Sequence, residues 1–286
     1  MGLYQNRIVV KVGTSTLTNE MGKSDLRSFD RLACVLSDIQ NMGYEVILVS
    51  SGAIAVGINK LNMKEHPSSM RMKQAAAATG QCSMMFLYDK FFSDYDKTIA
   101  QILLNAEDIE QEEKKENLIN TFNTLLEMDI IPVVNENDSV SYTEIESEDR
   151  LFGDNDMLSA VVAVLCRAKQ LVILSDINGL YDADPRLYPN AKLISRIEKI
   201  DETVYALAGG AGSRRGTGGM KTKLRAAALA TTQGIDTVIT NGKTPETLYE
   251  IIKGNTAGTL FMGRSPFPDS ETSGKTEKRN WEYLPV

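Results

Sequence analysis

The sequence predicts an α/β protein, a three-layer αβα sandwich with a mostly parallel central sheet. Short β-branched runs alternate with segments of helical periodicity along the chain, which is the pattern of such a sandwich. Several of the runs are apolar at nearly every position, as strands buried on both faces are. The chain has 286 residues, of which 42% are hydrophobic, so it can bury a large core.

The individual elements follow from these two periodicities. The predicted strands are, in chain order, RIVVKV at 7–12, EVILVS at 45–50, TIAQILL at 98–104, IIPVV at 130–134, LVILS at 171–175 and DTVIT at 236–240. Helical spacing occupies residues 25–43, which end at a candidate C-cap, Gly43, and it recurs at 68–92 and 117–129.

Turn-like motifs follow several of the predicted strands. KVGTS comes after the first strand, SSGAIAVG after the second, NENDSV after the fourth and SDINGLY after the fifth. Each motif, taken alone, is also compatible with an ordinary turn, because Gly, Ser, Asn and Asp favour turns and helix N-caps. Ligands of parallel sheets bind at the carboxyl ends of the strands, so the motifs together predict a binding site at this edge.

The charged residues separate into a basic and an acidic region, although the formal net charge is −7. The segment 203–235 contains no Asp or Glu, and it holds the glycine-rich string GTGGMKTK at 216–223. Its cations are Arg214, Arg215, Lys221, Lys223 and Arg225. Glycines let backbone N–H groups approach an anion closely, so we expect an anion site here, with the contribution of Arg214 and Arg215 left open. The segment 135–156 is instead rich in carboxylates and suits a metal or an amine.

Several classes of function are disfavoured by the composition. The negative net charge argues against general binding of nucleic acid or of a membrane surface. No apolar run approaches the ~18 residues that span a membrane, and the strand-like start leaves no room for a signal peptide, so we expect a cytoplasmic protein. A dinucleotide-dependent oxidoreductase would need G-x-G-x-x-G after the first strand, where this chain has KVGTSTLTNE.

The motifs carry a resemblance to the amino acid kinase family over about residues 8–261. VVKVGTSTLT and GTGGMKTK resemble the family in general, whereas VSSGAIAVG, PVVNENDSV and FGDNDMLSA are similar to its members that phosphorylate L-glutamate. The resemblance implies ATP-dependent phosphorylation of the γ-carboxylate of L-glutamate to L-glutamyl 5-phosphate, the first step of proline biosynthesis. It also implies that Mg²⁺ arrives with ATP and has no direct protein ligand.

The same resemblance implies roles for residues at the matching positions. Lys11 and Lys223 are expected to flank the transferred phosphoryl group, and Asp156 to position both lysines. The expected ATP-binding residues are Lys11, Gly13, Ser175, Asp176, Thr217, Gly218, Gly219, Met220, Lys221, Thr222 and Lys223. The expected glutamate-binding residues are Ser51, Gly52, Ala53, Asn135, Asp138 and Asn155.

The chemistry of the reaction suits these residue types. A carboxylate is already a nucleophile, so catalysis depends on alignment and on neutralising the charge of the moving phosphoryl group. Two nearby lysines repel each other, and a carboxylate between them, for which Asp156 is the candidate, keeps both charged. Asp138 would repel both carboxylates of glutamate, so we expect it to bind the α-ammonium group, with the asparagines and the loop 51–53 donating to the α-carboxylate.

Assembly and regulation are expected from the family resemblance alone. Its members are usually oligomeric, so we expect a homo-oligomer, a dimer or a tetramer, with the helical segment 68–92 as a candidate interface. Many glutamate-phosphorylating members carry a C-terminal PUA domain, and because this chain stops at Val286 we expect a kinase domain at 1–262, an irregular extension at 263–286 and no PUA domain. We expect a polar flap at 141–156, with proline as a feedback inhibitor near it.

Two alternatives to a glutamate kinase remain open at this point. One is a kinase of the same family that acts on another carboxylate or on carbamate. The other is a non-catalytic protein that keeps the fold and senses nucleotides. The presence of Lys11, Asp156 and Lys223 disfavours the second alternative. A panel of substrates distinguishes the first alternative from a glutamate kinase.

Overall fold

The computed structural model describes residues 2–19, 22–140, 154–208 and 219–264. The strands are β1 Tyr4–Val12, β2 Glu45–Val49, β3 Ile99–Leu104, β4 Ile131–Glu136, β5 Ala168–Ser175, β6 Arg196–Ile197, β7 Asp236–Asn241 and β8 Thr259–Phe261. The helices are α1 Thr14–Leu17, α2 Leu26–Asn41, α3 Ala53–Lys60, α4 Met70–Ser93, α5 Ala106–Glu110, α6 Glu112–Glu127, α7 Asn155–Leu165, α8 Glu202–Leu207, α9 Met220–Thr232 and α10 Thr247–Ile252.

All strands form one 8-stranded sheet in the order β3-β4-β2-β1-β5-β7-β8-β6. The six predicted strands are confirmed, and they run parallel to one another. The sequence analysis missed β6 and β8, which are only 2 and 3 residues long and carry too little periodicity to identify. Because β8 runs antiparallel to β7, the sheet is mixed but mostly parallel, as predicted.

The sheet separates two hydrophobic clusters, which confirms the αβα sandwich. Ile8, Val10 and Val12 of β1 lie in the cluster formed with α2, α3, α4 and α10. Val9 lies in the opposite cluster, which contains α5, α6, α7 and α9. Because successive side chains of a strand point to opposite faces, Lys11 lies on the same face as Val9. The alternation of β1 thus directs Lys11 towards α7 and α9.

Helices α3 and α4 cross in very close contact beside the carboxyl ends of the strands. An added Cβ on Gly57 would lie 1.8 Å from the carbonyl oxygen of Ala76, and one on Gly80 would lie 1.8 Å from that of Ala53. Glycine is therefore required at both positions, because any side chain would force the two backbones apart. This contact holds the start of α3 against the middle of α4.

The remaining expectations about chain organisation fall partly outside the described residues. Of the expected extension 263–286, the structure describes only 263 and 264, and of the expected flap 141–156 it describes only 154–156. In the described ranges, no helix combines the length and the apolar composition that crossing a membrane requires.

Candidate active site

An aspartate between two lysines lies at the carboxyl edge of the sheet. Lys11 is the penultimate residue of β1, Asp156 the second residue of α7 and Lys223 the fourth residue of α9. The Lys11 Nζ lies 2.6 Å from Oδ1 of Asp156, and the Lys223 Nζ lies 3.0 Å from Oδ2. Each carboxylate oxygen thus pairs with a different ammonium group. The structure brings together the three residues that were expected to act on the phosphoryl group.

The three charged side chains are buried, with exposed fractions of 8% for Lys11, 2% for Asp156 and 8% for Lys223. Burial by itself would raise the pKa of Asp156, but the two neighbouring ammonium charges outweigh it and lower that pKa. Asp156 therefore remains a carboxylate at neutral pH. The trio combines two cations with one anion, so it suits a further anionic group, such as a phosphoryl group.

Two other residues fix the direction of the Asp156 side chain. Asp154 caps α7 by accepting hydrogen bonds from the backbone N–H groups of Asp156 and Met157, each at 2.9 Å. The hydroxyl of Thr222 donates to Oδ2 of Asp156 at 3.0 Å. The sequence analysis did not assign a role to Asp154, although an Asp just before an apolar helical segment is an N-cap signal. Thr222 was expected only to bind ATP.

The expected nucleotide-binding residues surround this trio on the side of α9. Gly219 is the N-cap of α9 and provides no side-chain cap, so the first N–H groups of the helix, at Met220 and Lys221, are oriented for an anion. The N–H of Thr222, the third expected contact here, donates to the carbonyl oxygen of Gly219 at 3.2 Å. The expected residues Thr217 and Gly218, together with Arg214 and Arg215, lie outside the described residues.

Two further expected nucleotide contacts follow β1 and β5. Gly13 follows β1, and a Cβ at this position would lie 3.7 Å from the Nζ of Lys11. Ser175 ends β5, and its hydroxyl donates to Oδ1 of the exposed Asp176 at 3.1 Å. These residues therefore lie at the same edge of the sheet as Lys11, because β1 and β5 are paired in parallel.

A chain of amide side chains links the other strand ends. The Asn155 amide nitrogen donates to the carbonyl oxygen of Ser50 at 2.8 Å and to Oδ1 of Asn135 at 2.9 Å. The Asn135 amide nitrogen donates in turn to Oε1 of Gln81, on α4, at 2.9 Å. Both N–H groups of the Asn155 amide are thereby in use. In this arrangement Asn155 offers an acceptor to a ligand, rather than the donor that the sequence analysis expected.

The loop after β2 is held close to the end of β1. The hydroxyl of Ser51 donates to the carbonyl oxygen of Val12 at 2.9 Å. Gly52 has φ = 103°, a left-handed conformation that favours glycine, and a Cβ there would lie 3.1 Å from Thr14. Gly52 is the N-cap of α3 without a side-chain cap, and the N–H of Val56 is the first that donates back to it, at 2.9 Å. The N–H groups of residues 53–55 are therefore oriented for an anion.

A cavity of about 420 Å³ opens beside this loop. Its walls come from Ala53, from the residues 77–85 of α4, from β3 and from the loop 136–139. Asp138 lines the cavity, and burial raises the pKa of its carboxyl group to about 6. The sequence analysis predicted Ala53 and Asp138 at a common site, but it missed the whole wall from α4, including Gln81 and Cys82.

The described residues contain no cluster of three His, Cys, Asp or Glu side chains that could hold a metal ion. The acidic segment 135–156, for which a metal or an amine was considered, is described only at its two ends. Of its carboxylates, Asp156 is paired with lysines and Asp138 faces the cavity. The Asp138 carboxylate is therefore available to an amine.

Comparisons with known proteins identify the family of this chain. The amino acid kinase family profile matches residues 6–241. The glutamate 5-kinase of Clostridium perfringens (strain 13 / Type A) is 52% identical over 258 residues, which are 90% of this chain and 96% of that protein. That of Clostridium tetani (strain Massachusetts / E88) is 50% identical over 254 residues, 89% of this chain and 93% of that protein. The resemblance drawn from the sequence motifs is therefore confirmed.

The fold also occurs in solved structures of low sequence identity. The structure of carbamate kinase from Giardia lamblia bound to AMP-PNP matches with a TM-score of 0.64 and 14% identity, covering 90% of this chain and 98% of that one. At this identity the similarity shows only that the fold is shared.

Proposed function

Because the chain belongs to the amino acid kinase family, we propose that it transfers the γ-phosphoryl group of ATP to the γ-carboxylate of L-glutamate. The product is L-glutamyl 5-phosphate, and the reaction is the first step of proline biosynthesis. The observation that carries the proposal is the Lys11–Asp156–Lys223 trio, with distances of 2.6 and 3.0 Å. The amide chain from Asn155 to Gln81 connects it to the cavity that Asp138 lines. The relatives that support the substrate are about half identical to the chain over nine tenths of its length.

The trio provides electrostatic stabilisation. The γ-carboxylate of glutamate attacks the γ-phosphorus of ATP without a general base, because it is already ionised. Negative charge spreads over the transferred phosphoryl oxygens and the leaving ADP, and the ammonium groups of Lys11 and Lys223 are in place to balance it. Asp156 keeps the two cations fixed in direction, so little reorganisation is needed as the charge moves.

The nucleotide lies on the side of α9 in this proposal. The uncapped N-terminus of α9 and Lys221 bind the phosphates, while Gly13 allows their approach to Lys11, and Ser175 and Asp176 contact the nucleoside part. Mg²⁺ enters with the phosphates of ATP and supplies further charge neutralisation. The expected contacts from Thr217 and Gly218 stay predictions, as do the homo-oligomer, the proline feedback and the cytoplasmic location.

Glutamate occupies the cavity beside α3 and α4. Asp138 binds the α-ammonium group, and the N-terminus of α3, at Gly52 and Ala53, faces a carboxylate. Asn155 follows Asp154 and immediately precedes Asp156, so the amide chain that borders the cavity is continuous with the phosphoryl-binding trio. The γ-carboxylate therefore points from the cavity towards Lys11 and Lys223.

A panel of substrates tests the proposal. The purified chain, with ATP and Mg²⁺, is expected to phosphorylate L-glutamate faster than L-aspartate, N-acetyl-L-glutamate or carbamate, as measured by ADP release and by trapping of the acyl phosphate with hydroxylamine. Aspartate places its carboxylate roughly 1 Å or more too far from the phosphorus, and misplacement of this size costs ~10² in rate. N-acetylation removes the cation that pairs with Asp138.

Each alternative gives a different result in the same assay. Faster turnover of one of the competing substrates would exclude glutamate as the substrate and leave the kinase assignment intact. A complete lack of ADP with every substrate, from a protein that still binds ATP, would favour the nucleotide-sensing alternative. Lys11→Met serves as the control for contaminating kinases, because its own rate of acyl phosphate formation should fall by ~10² or more, whereas a contaminating kinase would give the same rate in both preparations.

A further inference from the structure

The orientation of three side-chain amides is fixed by a single backbone carbonyl. A carbonyl oxygen can only accept a hydrogen bond, so the group of Asn155 that lies 2.8 Å from the Ser50 oxygen must be its NH₂. The second hydrogen of this NH₂ is donated to Asn135, which identifies the Asn135 atom as its oxygen. The Asn135 NH₂ therefore donates to the oxygen of Gln81. No separate assumption about any amide flip is needed.

The end of this chain is the NH₂ group of Gln81. Its oxygen is occupied by Asn135, and within the described residues its nitrogen has no hydrogen-bond partner. Gln81 lines the same cavity as Asp138. Its backbone position is fixed because Gly80, the preceding residue, is in contact with the start of α3. A donor with a fixed orientation therefore faces the cavity.

Resting on the proposed function, we infer that Gln81 is a specificity-determining residue that donates its amide N–H to the α-carboxylate of glutamate. The α-ammonium and α-carboxylate groups share one carbon, so a ligand whose ammonium is bound by Asp138 brings its α-carboxylate into the same cavity. Asp138 repels that carboxylate, and both N–H groups of the Asn155 amide are already in use. Gln81 supplies a side-chain donor in addition to the N–H groups at the start of α3.

Exchanging donor and acceptor at this contact provides the test. Gln81→Glu can still accept the hydrogen bond from Asn135, so the asparagines keep their orientation, but it presents a negatively charged acceptor to the cavity. L-isoglutamine, in which a carboxamide replaces the α-carboxylate, can donate to that acceptor and keeps the γ-carboxylate that is phosphorylated. The measured quantity is kcat/KM for glutamate divided by kcat/KM for isoglutamine.

The expected result is a fall of that ratio by about tenfold or more in Gln81→Glu, since loss of one specific polar contact costs at least that much. The change should appear in the KM for glutamate more than in kcat, and ATP affinity should be unchanged. Gln74→Glu is the matched control, because it adds the same charge to α4 at a position that does not line the cavity. Its ratio should equal that of the wild type.

Gln81→Met keeps the inference testable if Gln81→Glu fails to fold. It removes the donor without adding charge, so the ratio should fall less than in Gln81→Glu but still measurably. Both substrates lose a hydrogen bond from residue 81, and the loss is larger for the charged α-carboxylate of glutamate than for the neutral carboxamide oxygen of isoglutamine. An unchanged ratio in the folded Gln81 variants, or an equal fall in Gln74→Glu, overturns the inference. The proposed function is contradicted instead if the wild-type protein phosphorylates isoglutamine but not glutamate, or if it phosphorylates neither substrate. The wild-type assay alone shows either result, so the two failures are distinguishable.

Discussion

The ammonium group of Lys11, near the end of the central strand β1, lies 2.6 Å from the carboxylate of Asp156, in the first turn of α7. Both side chains are almost completely buried. A pair of this kind is held in direction by its surroundings, so Lys11 cannot turn away from the edge of the sheet where the strand-end loops meet. Lys223 completes the arrangement from α9 at 3.0 Å.

Removing either lysine should reduce the rate of phosphoryl transfer. We expect kcat of Lys11→Met and Lys223→Met to fall by ~10²–10³, the size of effect seen when one preorganised donor to developing charge is lost. ATP affinity, measured by calorimetry, should change less. Lys169→Met, at a partly exposed lysine with a long 3.9 Å ion pair, is the control. Near-normal kcat in both folded variants would show that the lysines do not contact the transferred group.

Neutralising Asp156 should affect stability as well as rate. Asp156→Asn leaves two buried ammonium groups without their shared anion, and breaking a buried pair in this way costs about 3–5 kcal/mol. We expect a fall of this order in the free energy of unfolding, measured with urea, together with a lower kcat. Glu246→Gln removes a carboxylate from an exposed pair with Arg31 and should cost no more than about 1 kcal/mol. Equal losses in the two variants would contradict the buried-pair interpretation.

Asp154 should act through the backbone of α7. Asp154→Ala removes the N-cap and is expected to lower the free energy of unfolding by about 1 kcal/mol. It should also lower kcat, because the first turn of α7 carries Asp156. Asp154→Ser retains a capping oxygen, so stability and kcat should both recover in that variant. A variant Asp154→Ser that is as slow as Asp154→Ala would indicate that the charge of Asp154, rather than its cap, matters.

Glutamate binding should weaken in acid because of Asp138. Burial raises the pKa of this carboxyl group to about 6, so in the unliganded protein it is charged above this pH and neutral below it. Only the charged form attracts the α-ammonium group. The KM for glutamate is therefore expected to rise about tenfold between pH 7 and pH 5, where glutamate itself changes little. In Asp138→Asn the KM should be high and nearly independent of pH over this range, and a pH dependence equal to that of the wild type would exclude Asp138 as its source.

Gly80 should be intolerant of any side chain. A Cβ at this position would lie 1.8 Å from the carbonyl oxygen of Ala53, so Gly80→Ala must separate α3 from α4. Overpacking of this type costs about 1–3 kcal/mol or more, and the shift should raise the KM for glutamate because Ala53 and Gln81 line the cavity. Ala75→Ser, at an exposed position of the same helix, should stay within about 0.5 kcal/mol of the wild type. Full stability in Gly80→Ala would show that the helices can move apart freely.

The short-range pattern of the sequence was sufficient for most of the fold. Several of the six long strands are apolar at nearly every position because helices cover both of their faces, and such a run is a clear local signal. The strands β6 and β8 leave no such signal, since two or three residues show no period. The motif strings likewise identified Lys11, Asp156 and Lys223 as a set, although the three residues are far apart in the chain.

The site required information that no local pattern contains. Gln81 and Gly80 belong to a helical segment that is polar and small at these positions, and their importance comes from Asn135 and Ala53, which other elements bring against them. By itself the sequence determined the six long strands, the helices α2, α4 and α6, and which strand ends carry polar groups, because periodicity and turn chemistry act over a few residues. The tertiary structure alone decided which amide donates to which, and which helix wall closes the cavity, because hydrogen-bond direction and close backbone contact depend on atoms far apart in the chain.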